Sequence, residues 1–285
     1  MLFLSAVISM KNIKKDFGQK TVLHDINSSI EKGEIFGLLG PSGAGKTTII
    51  KILTGQIPKT SGEAALYSVN TDKLTEEVYS KIGMVLDIQG LYTRLTCYDN
   101  LAIFAEIYNI NKKRIYEVLE KVRLADEAKK IVSKLSKGMA QRLVIARAIL
   151  HYPKILFLDE PTSGLDPATS LEIHKIIFEL RESGSTIFLT THNMEEASVL
   201  CDNVALLNEG NIMEYGHPDA ICRKYNDVNS IKILLKNGEK ITLPNNNYSS
   251  EQIASYFREN NVEAIHSTEP NLETVFISLT GRELV

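Results

Sequence analysis

Residues 40–47 read Gly40–Pro41–Ser42–Gly43–Ala44–Gly45–Lys46–Thr47, which fits the pattern GxxxxGK followed by Ser or Thr. An apolar run at 35–39 precedes this loop, and residues 48–53 follow it with the pattern of a helix start. The context matters because an isolated match also occurs in ordinary glycine turns. Both neighbours are present here, so the stretch predicts an α/β fold with the loop between a buried strand and a helix.

The glycines of this loop allow backbone conformations that turn successive N–H groups inward, and the following helix adds its positive end. A loop of this kind binds polyphosphate. We expect Lys46 to reach the β and γ phosphates of a nucleotide and Thr47 to ligate Mg²⁺. The residues predicted to hold the nucleotide in this segment are Gly40, Pro41, Ser42, Gly43, Ala44, Gly45, Lys46, Thr47 and Thr48.

Two later segments point to the same chemistry. Residues 135–142 read LSKGMAQR, with Ser136 and Gly138 at a predicted helix start, where a hydroxyl, a backbone N–H and the helix dipole together suit an anion. Ser136 can equally be a plain helix cap, and both roles can hold at once. Asp159 and Glu160 follow the apolar run 155–158, at the carboxyl edge of a predicted strand, where α/β folds bind ligands. An acidic pair after a strand is otherwise often only a solvated turn.

Composition excludes several classes of protein. The 285 residues carry a net charge of −3, with 32 basic residues spread among 35 acidic ones, so charge gives no support for a nucleic-acid partner. The cysteines Cys97, Cys201 and Cys222 form no CxxC pair, which indicates a reducing cytosol. The longest apolar stretches fall well short of the roughly 20 residues that cross a bilayer, so this chain is not expected to form a membrane pore.

Short apolar runs recur along the chain without alternation, as is typical of parallel strands buried on both faces. They lie at 35–39, 82–86, 155–158, 186–190 and 204–207. Helical patterns lie between them, as at Ile173, Ile176, Ile177 and Leu180, which share one helix face. The sequence therefore predicts a doubly wound α/β core. Helical periodicity dominates about residues 91–151, which predicts an inserted helical subdomain.

The pattern of apolar and polar residues changes near residue 223. We expect a main domain over 1–223 and a small α+β appendage over 224–285. Asn237 and Gly238 lie between two strand-like runs and predict a hairpin with a type I′ turn. Ser249 and Gln252 resemble a capping box that opens a helix. A last helix is predicted from Pro270, with an apolar face and Gly281 at its end.

The three motifs, in this order, resemble the nucleotide-binding subunits of ABC transporters over roughly residues 8–220. The resemblance implies the P-loop NTPase fold of ABC ATPases: a mixed sheet flanked by helices, an antiparallel β portion and a helical subdomain. It also implies that the signature 135–141 closes over ATP bound to the P-loop of a second subunit. Two sites would then form in a head-to-tail dimer of this chain with itself or with a paralogue.

The resemblance assigns roles to individual residues. Asp159 would hold Mg²⁺ through water, and Glu160 would be the general base for the attacking water. His192 matches the switch histidine that contacts the γ-phosphate and organises Glu160, and Phe17 matches the aromatic residue that stacks on adenine. Asp166 resembles the D-loop residue that signals across the dimer, although it is also a well-placed helix cap before Pro167.

One position departs from the family pattern. An alignment without gaps puts Asp87 where the Q-loop glutamine is usual; a carboxylate keeps the oxygen ligand for Mg²⁺ but loses the amide donor. We expect Asp87 to sense the bound Mg²⁺ and nucleotide. The alternative is that Gln89 takes this role after a local loop shift.

The residue types of the signature segment (135–142) and of the C-terminal segment 269–276 resemble those of type-2 ABC exporter subunits. These serve a separately encoded permease of about six helices, each of the roughly 20 residues needed to cross a bilayer. The resemblance therefore implies a peripheral ATPase at the cytoplasmic face of the cell membrane, coupled to export. The runner-up is a soluble ABC ATPase that acts on a macromolecular complex. Neither the long coiled-coil insertion of chromosome-maintenance ATPases nor the second cassette of ABC translation factors is present.

Overall fold

The computed structural model describes residues 6–86, 90–226 and 229–281. In chain order the strands are β1 (Ala6–Phe17), β2 (Lys20–Glu31), β3 (Ile35–Leu39), β4 (Ser61–Leu66), β5 (Val69–Asn70), β6 (Ile82–Val85), β7 (Ile155–Asp159), β8 (Thr186–Thr191), β9 (Asn203–Asn208), β10 (Asn211–Gly216), β11 (Ser230–Leu235), β12 (Lys240–Pro244) and β13 (Val262–Ser267). The α-helices are α1 (Lys46–Leu53), α2 (Glu76–Tyr79), α3 (Cys97–Ile107), α4 (Lys113–Lys121), α5 (Lys137–Ile149), α6 (Pro167–Glu182), α7 (Met194–Leu200), α8 (Pro218–Lys224), α9 (Ser250–Arg258) and α10 (Leu272–Thr280).

A six-stranded sheet in the order β10-β9-β3-β8-β7-β6 forms the centre of the fold. Its strands are parallel except β10, which pairs antiparallel with β9. The five predicted apolar runs are the five parallel strands, with ends that differ from the prediction by one residue at most. The prediction succeeded because both faces of these strands are covered, so nearly every position must be apolar.

An antiparallel sheet in the order β2-β1-β4-β5 packs beside the central sheet. Side chains of β1 and β2, such as Ile13 and Leu23, share one buried cluster with the rings of Phe36, Phe157 and Phe188. The Phe36 and Phe188 rings lie 5.1 Å apart, and those of Phe157 and Phe188 lie 5.5 Å apart. This sheet is the antiparallel portion that the family resemblance implied.

Helices α3, α4 and α5 surround a second apolar cluster that includes Leu101, Val118 and Leu143. Thr96 and Asp99 form a capping box at the start of α3. The isolated bridge between Thr96 and Ile131 is the β pairing found among the described residues of 91–151. The segment is therefore as helical as its periodicity indicated.

The C-terminal segment forms an antiparallel sheet in the order β12-β11-β13, with α9 between β12 and β13 in the chain. The predicted hairpin is present, but the type I′ turn is wrong. The N–H of Gly238 donates to the carbonyl of Leu235 at 2.8 Å, and Gly238 has a φ of +85° whereas Asn237 has no positive φ. The glycine thus occupies the left-handed position of a three-residue loop, which supports the same strands with a different turn.

The predicted capping box at α9 is also wrong. Ser249 precedes the helix in a right-handed helical conformation and makes no side-chain cap hydrogen bond. Asn246 instead caps a short 3₁₀ turn ahead of the helix by accepting from the N–H groups of Tyr248 and Ser249. The Asn side chain acts three residues earlier and so removes the need for a serine cap.

The last helix, α10, packs on α7 and α8 of the main body. Its apolar face, with Leu272, Val275 and Phe276, is buried in the same cluster as Ile221 of α8. Gly281 ends the helix in the left-handed conformation, as predicted, while Asn271 rather than Pro270 lies at its N-cap. Across the described parts of the chain, no helix combines the length and the apolar character needed to cross a membrane.

Candidate functional site

The glycine-rich loop joins the carboxyl end of β3 to the start of α1, as the sequence indicated. Gly43 and Gly45 have φ values of +80° and +115°, which side-chain-bearing residues rarely adopt. Gly40 is required for a different reason, because a Cβ there would lie 2.2 Å from the carbonyl oxygen of Leu207. These glycines let the backbone approach a ligand closely at the amino end of a helix, the arrangement that binds phosphate.

Lys46 lies inside this loop, and its side chain is almost completely buried. Its Nζ donates to the carbonyl oxygens of Gly40 at 2.7 Å and Pro41 at 3.2 Å. It also lies 3.2 Å from Oε1 of Glu160. The ammonium group is therefore held by the loop itself, next to the acidic pair that follows β7.

Thr47 and Asp159 are brought together from α1 and the end of β7. The Thr47 hydroxyl donates to Oδ2 of Asp159 at 2.8 Å, and the hydroxyl of Thr190 donates to the other carboxylate oxygen. A hydroxyl and a carboxylate in contact are hard oxygen donors, the type that Mg²⁺ prefers together with water and phosphate oxygens. These two residues therefore fit a magnesium ion bound with a nucleotide.

Glu160 has a backbone φ of +48°, which is unusual for a residue with a side chain. Its N–H donates to the backbone and side-chain oxygens of Thr190, at 3.0 and 3.1 Å. Its Oε2 lies 3.2 Å from Nδ1 of His192, and its Oε1 faces Lys46. The carboxylate is thus held between a cation and an imidazole, and it can accept a proton from a water at this edge of the sheet.

Ser136 is the N-cap of α5, where its side chain accepts from the N–H of Met139 at 3.2 Å. The neighbouring Gly138 is buried, and a Cβ on it would lie 2.3 Å from the Thr169 methyl group of α6. The structural interpretation of Ser136 is therefore confirmed. Glycine at 138 is required by the close approach of two helices, a reason that the sequence alone did not show.

Lys137 links this helix start to the segment before α6. Its Nζ donates to the carbonyl oxygens of Ser163 and Gly164 at 2.9 and 3.2 Å. Together with Gln141 it borders a cleft of about 330 Å³ that also reaches Thr47, Asp159 and Glu160. The signature segment and the acidic pair of one chain therefore face the same opening.

Two other predicted site residues, Asp166 and Phe17, make contacts of their own. Asp166 caps α6 by accepting from the Thr169 N–H at 3.0 Å, and hydrogen bonds from the Thr169 side chain and backbone lower the pKa of its carboxyl group. Half of the Phe17 surface is exposed, and the ammonium of Lys15 lies 4.7 Å from the ring centroid. An exposed aromatic ring of this kind can stack on a base. The predicted residue Asp87 and its alternative Gln89 lie outside the described residues.

Thr190 was missed by the sequence analysis, although it contacts both members of the acidic pair. The position of Thr190 could have predicted this contact. It lies near the carboxyl end of β8, and neighbouring parallel strands end at the same edge of a sheet. Asp159 and Thr190 are cross-strand partners in the β7–β8 register. The rule that identified the acidic pair therefore applied to this threonine as well.

The loop, the acidic pair and the helix start define a P-loop ATPase of the ABC type. The pattern of the family described as ABC transporter matches residues 23–163. The bacitracin transport ATP-binding protein BcrA of Bacillus licheniformis is 36% identical over 305 residues, and the match spans 98% of each chain. The fluoroquinolones export ATP-binding protein of Mycobacterium tuberculosis is 38% identical over 262 residues, covering 90% of this chain and 86% of that protein.

Solved structures agree with this assignment. The structure of cbiO1 from Clostridium perfringens, part of the ABC transporter complex cbiONQ, matches with a TM-score of 0.70 and 27% identity, over 78% of this chain and 95% of that one. An ATP-binding cassette of an ABC transporter in its ADP conformation matches with a TM-score of 0.69 at 24% identity, over 75% of this chain and 92% of that one, and supports the fold. The chain belongs to the ABC transporter family and is an ATP-binding subunit of the class that hydrolyses ATP to power transport. The predicted family, fold class and enzyme class are therefore confirmed.

Proposed function

We propose that this chain is the ATPase subunit of an exporter: two subunits bind Mg²⁺ and ATP head to tail and drive a separate membrane permease. The observation that carries the hydrolytic part of the proposal is the contact set around Glu160, where one carboxylate lies 3.2 Å from both Lys46 and His192. A binding module without hydrolysis has no need for this arrangement. The names of three curated relatives, which specify bacitracin transport, fluoroquinolones export and linearmycin resistance, support a role in transport for this chain, and the second name also gives export as the direction.

In this mechanism the chain's own residues bind the nucleotide and move one proton. Lys46 and the loop N–H groups bind the phosphates. Thr47 and Asp159 would hold Mg²⁺, and the bound ion would offset the negative charge of the transferred group. Glu160 accepts the proton of the attacking water, a role worth roughly 10²–10⁴-fold in rate. His192 holds the second carboxylate oxygen and so fixes the direction in which the base points.

The second subunit completes each site in this proposal. Ser136 and Gly138 lie at the amino end of a 13-residue helix, whose positive end suits the γ-phosphate of ATP held by the partner. Phe17 stacks on the adenine with its exposed face. The partner is a second copy of this chain or a paralogue, since one chain carries both halves of a competent site.

Asp87 is proposed to be the residue that senses Mg²⁺ in place of the usual glutamine, with Gln89 as its rival. The two are separated by comparing Asp87→Ala with Gln89→Ala for Mg²⁺-dependent hydrolysis stimulated by the permease. Loss of stimulation in Asp87→Ala alone supports the proposal. If only Gln89→Ala loses it, the alignment without gaps is wrong.

The export proposal is tested by isolating tagged Glu160→Gln protein from gently solubilised native membranes in the presence of Mg²⁺ and ATP. Removal of the base should trap the closed dimer and keep the working complex together. The proposal expects a membrane protein of about six helices, each of roughly 20 residues, at matched stoichiometry. The matched control is the same isolation from the Lys46→Met variant, which should lose the nucleotide-dependent part of the recovery.

The opposite result has a clear meaning as well. If the tagged protein is absent from the membranes and is recovered only from the soluble fraction of the same cells, with a macromolecular complex and no membrane protein, the exporter proposal is overturned in favour of the soluble ABC ATPase. A permease that faces a periplasmic or extracellular binding protein would instead indicate import. Either outcome also identifies the partner, from which the transported substrate can be approached.

A further inference from the structure

One buried carboxylate joins three elements next to the active centre. Glu196 lies on α7 and is almost completely buried. Its Oε1 accepts a hydrogen bond from the Thr162 hydroxyl at 2.5 Å and lies 2.7 Å from Nε2 of His174 on α6. Its Oε2 accepts from the Thr191 hydroxyl, at the end of β8, at 2.8 Å. Three separate segments of the chain therefore meet on one side chain.

Two of these donors are close neighbours of the proposed catalytic pair. Thr162 lies shortly after Glu160 in the same turn, and Thr191 directly precedes His192. Thr191 is fixed a second time, because its hydroxyl accepts from the N–H of Asn193 at 3.0 Å. His192 thus lies between two anchored residues while its own side chain is half exposed.

The Glu160 segment needs support of this kind. Its backbone φ of +48° is a strained conformation that persists only where the surroundings fix it. The N–H of Glu160 is held by Thr190 on one side. On the other side the chain is held at Thr162, whose hydroxyl partner is Glu196.

The charge of the Glu196 carboxylate strengthens its hydrogen bonds to the three donors. Burial raises the pKa of Glu196, but hydrogen bonds from His174, Thr162 and Thr191 outweigh burial and hold the pKa below its ordinary value. The side chain is therefore ionised at neutral pH and accepts from all three donors. A buried charge that loses its partners is costly, so the carboxylate and its donors act as one unit.

We propose that Glu196 is a positioning residue for ATP hydrolysis, which holds the segments of Glu160 and His192 at the separation that gives their 3.2 Å contact. The inference rests on the proposed function, in which Glu160 is the general base. Glu196 acts through these two residues, by fixing Thr162 and Thr191. His174 extends the same unit to α6, whose N-cap is the D-loop residue Asp166.

The test compares Glu196→Gln with Glu195→Gln, the same change one residue earlier on an exposed side chain. We expect Glu196→Gln to lower kcat for ATP by about tenfold to a hundredfold, because a small misplacement of the base is enough to cost that much. The KM for ATP and the binding of a fluorescent ATP analogue should change less than about twofold, since Lys46 and the loop are untouched. Glu195→Gln should keep the wild-type kcat.

A second comparison separates positioning from a general loss of structure. In the Glu160→Gln background, Glu196→Gln should lower the residual rate no further, because the residue that it positions is gone. Thr191→Val, which removes one donor and keeps the side-chain shape, should show a smaller loss of kcat at unchanged KM. This variant keeps the inference testable where Glu196→Gln does not fold.

Three results would overturn the inference. They are a wild-type kcat in folded Glu196→Gln, an equal loss of kcat and ATP affinity, or a full additional loss in the Glu160→Gln background. A Glu160→Gln variant that hydrolyses ATP at a near-normal rate would instead overturn the proposed function itself. The two failures are therefore distinguishable.

Discussion

Nζ of Lys46 lies 3.2 Å from Oε1 of Glu160, although Lys46 is the first residue of α1 and Glu160 directly follows β7. The ammonium is nearly buried and also donates to the carbonyl oxygens of Gly40 and Pro41. The group proposed to bind phosphate and the group proposed to activate water therefore touch within one chain. Replacement of Lys46 should therefore affect ATP binding, whereas replacement of Glu160 should affect hydrolysis.

Lys46→Met should weaken ATP binding by about 10- to 100-fold, because a hydrogen bond to a charged group contributes about 1.5–3 kcal/mol. Equilibrium titration with a fluorescent ATP analogue measures the change. Lys32→Met removes an equal charge from an exposed turn and should bind ATP like the wild type. Equal affinity in Lys46→Met and the wild type would show that the loop binds phosphate without its lysine.

Gly138→Ala should destabilise the fold through its contact with α6. The added Cβ would lie 2.3 Å from Cγ2 of Thr169, and overpacking of this kind costs about 1–3 kcal/mol, partly offset by about 1 kcal/mol of helix propensity. Thr169→Ser removes the methyl group and keeps the hydroxyl that bonds Asp166. Thermal unfolding should therefore show a loss for Gly138→Ala that disappears in the Thr169→Ser background. If the loss of stability persists in the Thr169→Ser background, its cause lies within α5 and not in the contact with α6.

Phe276→Ala tests the attachment of α10 to the main body. The ring is fully buried in the cluster shared with α7 and α8, so its removal should cost about 3–5 kcal/mol of the free energy of unfolding. Phe257→Ala on α9 is the matched control, because that ring is 54% exposed and should cost far less. Equal, small effects in denaturant unfolding would mean that α10 contributes little to the stability of the core.

His151 predicts a pH dependence of stability. Its Nε2 lies 2.9 Å from the carbonyl oxygen of Ile82, its ring stacks on Tyr108, and burial lowers its pKa although the hydrogen bond to Ile82 opposes this. As pH falls below about 6.5, His151 therefore binds a proton in the unfolded chain before it does so in the folded chain. The free energy of unfolding decreases from that pH down to the lower pKa of the folded state. Stability is fully present above that range.

His151→Gln should remove this acid sensitivity. Thermal unfolding at pH 7.5 and pH 5.5, as two chosen buffers on either side of about 6.5, should show a smaller drop for the variant than for the wild type. His24→Gln, at an exposed position, should keep the wild-type drop. An identical drop in all three proteins would mean that other groups control the acid response.

Sequence reasoning found the parallel strands because burial on both faces leaves a local signature in each of them. It found the hairpin at Asn237 and Gly238 for a similar reason but gave the wrong turn, since a glycine after asparagine suits either loop length. The predicted cap of α9 was wrong because Asn246, three residues before Ser249, already accepts hydrogen bonds from the backbone N–H groups ahead of the helix. Local competition of this kind is decided by geometry that the spacing does not contain.

The site shows the same limit more clearly. Lys46, Thr47, Asp159 and Glu160 were predicted because each lies in a short motif whose chemistry is local. The meeting of Thr162, His174 and Thr191 on Glu196 was not predicted, because these residues come from a turn, a strand and two helices and converge only in the folded chain. The reason for glycine at 138 is likewise a contact between two helices.

The central claim is that two subunits of this chain close over ATP and that Glu160 ends the closed state by hydrolysis. Size-exclusion chromatography with light scattering on Glu160→Gln, run beside an ATPase assay of the same protein, tests both parts. With Mg²⁺ and ATP the variant should run at the mass of two chains, and with ADP, or with Lys46→Met added, at the mass of one, while turnover falls by about 10²–10⁴-fold. A variant that binds ATP but remains a monomer, or that hydrolyses ATP at a near-normal rate, would contradict the claim.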